Sequence, residues 1–296
     1  MSRVVVVKAK DILSQTGEAK QRRLESLYRT GLQTLIQGGN LKECCLSIFD
    51  RKDRVGIKIN TIGGRKLSTL PDVSLCLANL ISEAGLSQEN IIVWDRTNRE
   101  LNQAGYRLNL NHKGIKVFGT DANGVDYERD LISYLNIGSL FSQIQSRYTS
   151  SSVSLAILKD HGLAGITASM KNYFGAIHNP NKYHDTNCNP FVAELFDTDL
   201  IKKKHRLSVI DALIVQYHRG PSYHSKWADE YEALIFSLDP VAADAVGWKI
   251  IEDLRSRNGL ISLKEENREP AYLQTAEKMG LGKARLEEIQ IIEKAV

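Results

Sequence analysis

Val153-Ser154-Leu155-Ala156-Ile157-Leu158, followed at once by Lys159-Asp160-His161-Gly162, is the stretch that decides the fold. Six residues with little polarity read as a strand buried on both faces, and the abrupt change at Lys159 reads as its carboxyl end. Similar short apolar runs lie on either side, at Val4–Lys8, Val55–Asn60, Asn90–Trp94, Gly114–Phe118, Leu207–Val215, Tyr231–Ser237 and Ile289–Ile292. Between them are helical patterns at Glu18–Gln37, Asp72–Ala84, Pro190–Phe196, Val241–Arg255 and Tyr272–Met279. Strands alternating with helices predict an α/β protein. Its expected form is a three-layer sandwich around a mostly parallel sheet, with an irregular insertion at 159–190. No repeat or low-complexity linker divides residues 1–296, so one α/β domain is expected.

The composition agrees. The chain has 296 residues, of which 42% are hydrophobic and 25% charged, a balance that excludes a disordered chain. No apolar run reaches the ~18 residues that a bilayer requires, so no membrane association is expected. The Val4–Val7 run is too short for a signal peptide, and the expected location is cytoplasmic. The formal charge is +4, with the basic excess in the first half, notably from Arg51 through Lys52, Arg54, Lys58 and Arg65 to Lys66. Aromatic residues are not interleaved there, which disfavours nucleic acid as a partner. Among the four cysteines there is no C-x-x-C, so an intrinsic zinc ribbon or ferredoxin-type cluster is not expected.

Parallel α/β sheets bind ligands at the carboxyl ends of their strands. Two strand exits are rich in polar residues. At the first, Lys58 and Asn60 share one strand face, ahead of Gly63-Gly64. At the second, Lys159 and His161 precede Gly162, Gly165, Thr167, Lys171 and Asn172, with a short helix expected near Thr167 whose N–H groups would favour an anion. No Walker loop is present. Six of the seven histidines fall within 161–224, and His178 and His184 flank an Asn and an Asp neighbour, as an imidazole–carboxylate site would. Asp211 ends a buried run, and Asp244 stands among small apolar residues, where either a site role or a buried lysine partner would explain it. Asp239-Pro240 is explained by helix capping alone.

These segments resemble a known family. Val55-Gly56-Ile57-Lys58-Ile59-Asn60, Lys159-Asp160-His161, Gly165-Ile166-Thr167, Met170-Lys171-Asn172-Tyr173-Phe174-Gly175, Val209-Ile210-Asp211-Ala212 and Asp239-Pro240-Val241-Ala242-Ala243-Asp244-Ala245 follow, in order, the motifs of the family catalogued as domain of unknown function 362. The resemblance spans about residues 3–255. It implies a fold and a residue list rather than a reaction. Many members carry a ferredoxin-like segment or a twin-arginine signal, and this sequence shows neither. The family is also distantly similar to the N-terminal part of nickel-dependent lactate racemases, where Lys and His residues surround a metal-bearing cofactor.

The expectation is therefore an enzyme acting on a small anionic molecule, as a metal-dependent lyase, isomerase or oxidoreductase. Lys159, His161, Lys171 and His178 would carry the chemistry, and Lys58, Asn60, Thr167 and Asn172 would bind substrate. A divalent metal ion, if used, would be held by His184, Asp211 and Asp244. The other reading is a cofactor- or iron–sulfur-associated redox or binding protein without turnover. A homo-oligomer or a redox partner protein stays open.

Overall fold

The valines at 4–7 are all buried because they alternate between the two covered faces of one sheet. Val4 and Val6 join one apolar cluster, and Val5 and Val7 the other. The protein was analysed as a computed structural model, which describes residues 1–111 and 113–296. Its strands are β1 (Ser2–Lys8), β2 (Val55–Lys58), β3 (Ile91–Asp95), β4 (Lys116–Gly119), β5 (Ile132–Tyr134), β6 (Ile137–Ser139), β7 (Ser151–His161), β8 (Gly165–Thr167), β9 (His205–Gln216), β10 (Ala228–Asp229), β11 (Ala233–Ser237) and β12 (Ile289–Ala295). Its helices are α1 (Gly17–Ile36), α2 (Leu41–Ile48), α3 (Pro71–Glu83), α4 (Asn98–Ala104), α5 (Ser169–Asn172), α6 (Phe191–Asp197), α7 (Asp199–Lys202), α8 (Pro240–Arg257) and α9 (Tyr272–Lys278).

Among the described residues the main sheet runs β12-β1-β11-β9-β7-β2-β3-β4, with β10 on β9 and β8 on β7. The pairings β12–β1, β9–β7, β7–β2, β2–β3 and β3–β4 are parallel, and β11 alone along this path is antiparallel to both neighbours. Helices cover both sides. Leu24, Leu27 and Leu32 of α1 and Leu77 of α3 pack with Val5 and Ile57 on one face; Val246, Ile251 and Leu254 of α8 pack with Val6 and Ile210 on the other. The α/β class and mostly parallel sheet are as the sequence predicts.

Local signals explain the helix starts. Asp239 Oδ1 accepts the Ala242 N–H at 2.9 Å, with Pro240 in the first turn of α8. The sequence reading passed over α2 and α4, although each has a cap: Asn40 accepts the Glu43 N–H and Thr97 accepts the Glu100 N–H. Both helices are too short for an apolar period to stand out. No described helix is long and apolar enough to cross a membrane.

The largest difference lies at the second exit. β7 does not end at Leu158. It runs to His161 and turns back as β8, which pairs Lys159 with Thr167 and His161 with Gly165. Burial continues through these residues, so a strand carries polar side chains that the alternation rule would place in a loop. The rest of the 159–190 insertion is α5 followed by short 3-10 turns at 173–176, 180–183 and 185–188.

Candidate active site

The carboxyl ends of β2, β3 and β7 open into a cavity of about 300 Å³. Lys58, Asn60, Lys159, His161, Thr167, Lys171, Asn172 and His184 all line it, joined by Asp95, Arg96, Glu100 and Phe174. Eight residues singled out in the sequence therefore meet, although they come from two segments about a hundred residues apart.

One wall is a closed ion-pair network. The ammonium of Lys58, 1% exposed, donates to Asp95 Oδ1 at 2.6 Å, to the Ile59 carbonyl at 2.6 Å and to Asn172 Oδ1 at 3.3 Å. Its three donors are spent. Asp95 is equally occupied: Oδ1 also accepts the Arg96 N–H, and Oδ2 accepts both the N–H and the hydroxyl of Thr61 at 2.7 Å. Asn172 returns its amide N–H groups to the Lys58 carbonyl and Ser154 Oγ. Lys58 and Asn172 are thus wall and brace, which corrects their expected role as substrate ligands. A Cβ on Gly175 would lie 2.7 Å from Lys58 Nζ and 2.8 Å from its Cε. Because Lys58 is held on every side it cannot swing away. Gly175→Ala is expected to destabilise the protein by about 1–3 kcal/mol, the usual cost of overpacking, read from the shift of a denaturant midpoint.

The same cavity holds two further amines with no carboxylate partner among the described residues. Lys159, 1% exposed, donates to Asn60 Oδ1 at 3.2 Å. Burial, and then the charge of Lys171, push the Lys159 amine down to about 7. Lys171 lies 3.3 Å from His184 Nε2, its Nζ 4.8 Å from the centre of the Phe174 ring, and burial pushes it down to about 8. His184 Nδ1 faces the Pro180 carbonyl at 3.0 Å, so that nitrogen carries the proton and Nε2 receives the lysine. The His161 ring stacks on His184 at 5.5 Å. Two backbone N–H groups, of Leu163 and Ala164, point at His161 Nδ1. The neutral ring therefore carries its proton on Nε2. Burial, then Lys171, His184 and Lys159, hold His161 down to about 2.

Three expected site residues are elsewhere. His178 is absent from the cavity lining; its Nδ1 accepts the Leu140 N–H and faces Ser139 Oγ, fastening a turn to β6. Asp211 faces a separate crevice of about 40 Å³ beside Lys20, Arg65 and Ser68, where burial raises its carboxyl to about 7. Asp244, on α8, lies behind α5 and accepts the N–H groups of Ser169 at 2.7 Å and Met170 at 3.1 Å and the Tyr272 hydroxyl at 3.2 Å. The free N–H groups expected to attract a ligand at this helix start are thereby taken by Asp244, which pairs with no lysine.

The ligand set His184, Asp211 and Asp244 is therefore not assembled. No group of three His, Cys, Asp or Glu side chains suited to a metal ion occurs among the described residues. The cavity's own donors fit a divalent ion poorly as well: Asp95 is spent on Lys58, His161 Nδ1 on backbone, and the amines are donors. The four cysteines are buried and unpaired, and burial pushes the Cys45 and Cys76 thiols up to about 12, far from thiolate ligands.

Asp95 and Arg96 were missed by sequence reading. The signal existed: Asp95-Arg96-Thr97-Asn98-Arg99-Glu100 is a polar exit directly after the apolar strand Ile91–Trp94, beside β2.

Comparison with solved structures finds similarity to the lactate racemase apoprotein from Thermoanaerobacterium thermosaccharolyticum, at 13% sequence identity and a TM-score of 0.45. The match covers 84% of this chain and 57% of the racemase chain, so the chain spans less than two thirds of that protein's length. No curated protein matches the sequence. Residues 55–249, from β2 through the first turns of α8, match the family described as Domain of unknown function (DUF362), and the chain belongs to that family.

Proposed function

We propose that the cavity binds a small anionic molecule, of carboxylate or phosphate type, and moves protons on it as an enzyme. One observation carries this reading: Lys159 and Lys171 are buried, face one cavity and have no carboxylate partner among the described residues. Buried charge is normally paired, and an anionic ligand would supply the missing charge. Lys171 and Arg96 would hold the anion. His161, neutral with its proton on Nε2, can donate to a developing oxyanion, and Lys159, with a value near neutrality, can take or return a proton. No step is assigned to a divalent ion, because the donors present do not fit one.

Titration calorimetry at low salt with inorganic phosphate, lactate and pyruvate tests the reading. At least one should bind, and Lys171→Met should weaken it by about ten- to hundredfold, the worth of a charge-assisted hydrogen bond of about 1.5–3 kcal/mol. The melting temperature of this variant should not fall, since the substitution removes a buried amine rather than a satisfied pair. No binding of any of the three, or equal binding by Lys171→Met, would refute the proposal.

A further inference from the structure

We propose that Lys159 is a nucleophile that forms an imine with a small 2-oxo acid held in the cavity. This rests on the anion-binding reading above and assigns the substrate a carbonyl.

The argument is one of placement. Among the described residues Lys159 Nζ has a single hydrogen-bond partner, the amide oxygen of Asn60, where Lys58 Nζ has three. An amine with one neutral partner keeps its lone pair accessible once deprotonated, whereas the nitrogen of Lys58 is held by three partners in the wall. Lys171, His161 and Lys159 line the same cavity, so a carboxylate on Lys171 would present an adjacent carbonyl carbon toward Lys159. The burial and the neighbouring Lys171 that lower the Lys159 amine to about 7 also raise its reactive fraction at neutral pH well above that of an ordinary lysine.

The step balances without a redox partner. The nitrogen lone pair forms the C–N bond and the carbonyl π pair moves to oxygen, which is protonated to give a carbinolamine. The C–O bond then breaks and the C=N bond forms. The two amine hydrogens leave with that oxygen as water. His161, with its proton on Nε2, lines the same cavity and can hydrogen-bond the departing hydroxyl, while the protons that complete the water come from the amine nitrogen.

Reductive trapping tests this on the full chain. Protein at pH 7 is incubated with glyoxylate or pyruvate and cyanoborohydride, and the modified lysine is located by peptide mass mapping. The expected result is one adduct, on Lys159, with the mass of the acid less one oxygen. It should be suppressed by excess lactate, which has the carboxylate but no carbonyl, and lost in Lys159→Arg. Trapping at Lys159 should be half-maximal near neutral pH and should exceed that of exposed lysines such as Lys10 and Lys52. If Lys159→Arg does not fold, the site of the adduct in the native protein decides alone. Labelling of Lys159 no greater than that of Lys10, in protein that binds pyruvate by calorimetry, overturns the imine and leaves the anion reading intact. Absence of both binding and trapping overturns both.

Discussion

Asp95→Ala should lower the unfolding free energy by about 3–5 kcal/mol, the usual cost of removing one partner of a buried ion pair. Asp95 and Lys58 are 5% and 1% exposed and lie 2.6 Å apart, so the ammonium left behind cannot reach water without opening the cavity wall. The loss is not Coulombic alone. Asp95 also accepts the Thr61 N–H and hydroxyl and the Arg96 N–H, all of which would lose their acceptor. Urea unfolding of Asp95→Ala, Lys58→Met and the double variant separates these terms. The double variant should be more stable than Asp95→Ala, because it removes the orphaned charge, yet less stable than the native chain, because the Thr61 donors stay unpaired. A loss under about 1 kcal/mol for Asp95→Ala would mean that the pair is solvated, and the wall described above would be wrong.

Asp244→Ala should have an effect of similar size by a different route. It would strip three buried donors, the N–H groups of Ser169 and Met170 and the Tyr272 hydroxyl, of one shared acceptor. At about 1–3 kcal/mol for an unsatisfied buried donor, and less than additively for three in one network, the expected loss is on the order of 4 kcal/mol. Anion affinity should fall as well, although Asp244 does not line the cavity, because α5 carries both Lys171 and Asn172. Complete burial raises the Asp244 carboxyl to about 7. The unfolded chain holds such a group near ~3.9, so between these values the folded state binds the extra proton. Stability from this group is therefore greatest below pH ~4 and declines as pH rises to about 7. Thermal melts across this range should show the native protein losing stability relative to Asp244→Asn, which has no proton to release. Parallel curves for the two proteins would contradict this assignment.

Much of the site was legible because it obeys local rules. A lysine inside an apolar strand, as at Lys58, demands a partner, and Lys159 and His161 at the end of Val153–Leu158 mark a strand exit whatever lies around them. The α/β class followed from the same evidence, since short apolar runs such as Val4–Val7 are stable only when both faces of a sheet are covered. What the sequence by itself determined was therefore the class of fold, the strands that carry the site, and most of the side chains that meet there.

Only the tertiary structure decided which of those side chains remain available. Lys58 and Lys159 look alike in the sequence; β3 lies beside β2, and so Asp95 neutralises Lys58 and leaves Lys159 unpaired. Asp211 and Asp244 are both buried acids near the ends of apolar runs, yet one faces a separate crevice and the other the start of α5. His178 was expected to carry chemistry beside His184, but its ring fastens a turn to β6. The physical reason is the same in each case. A polar side chain is defined by the partner it finds, and for Lys58, His178 and Asp244 the partners Asp95, Leu140 and Ser169 lie 37 to 75 residues away, set by strand order and helix packing rather than by spacing along the chain.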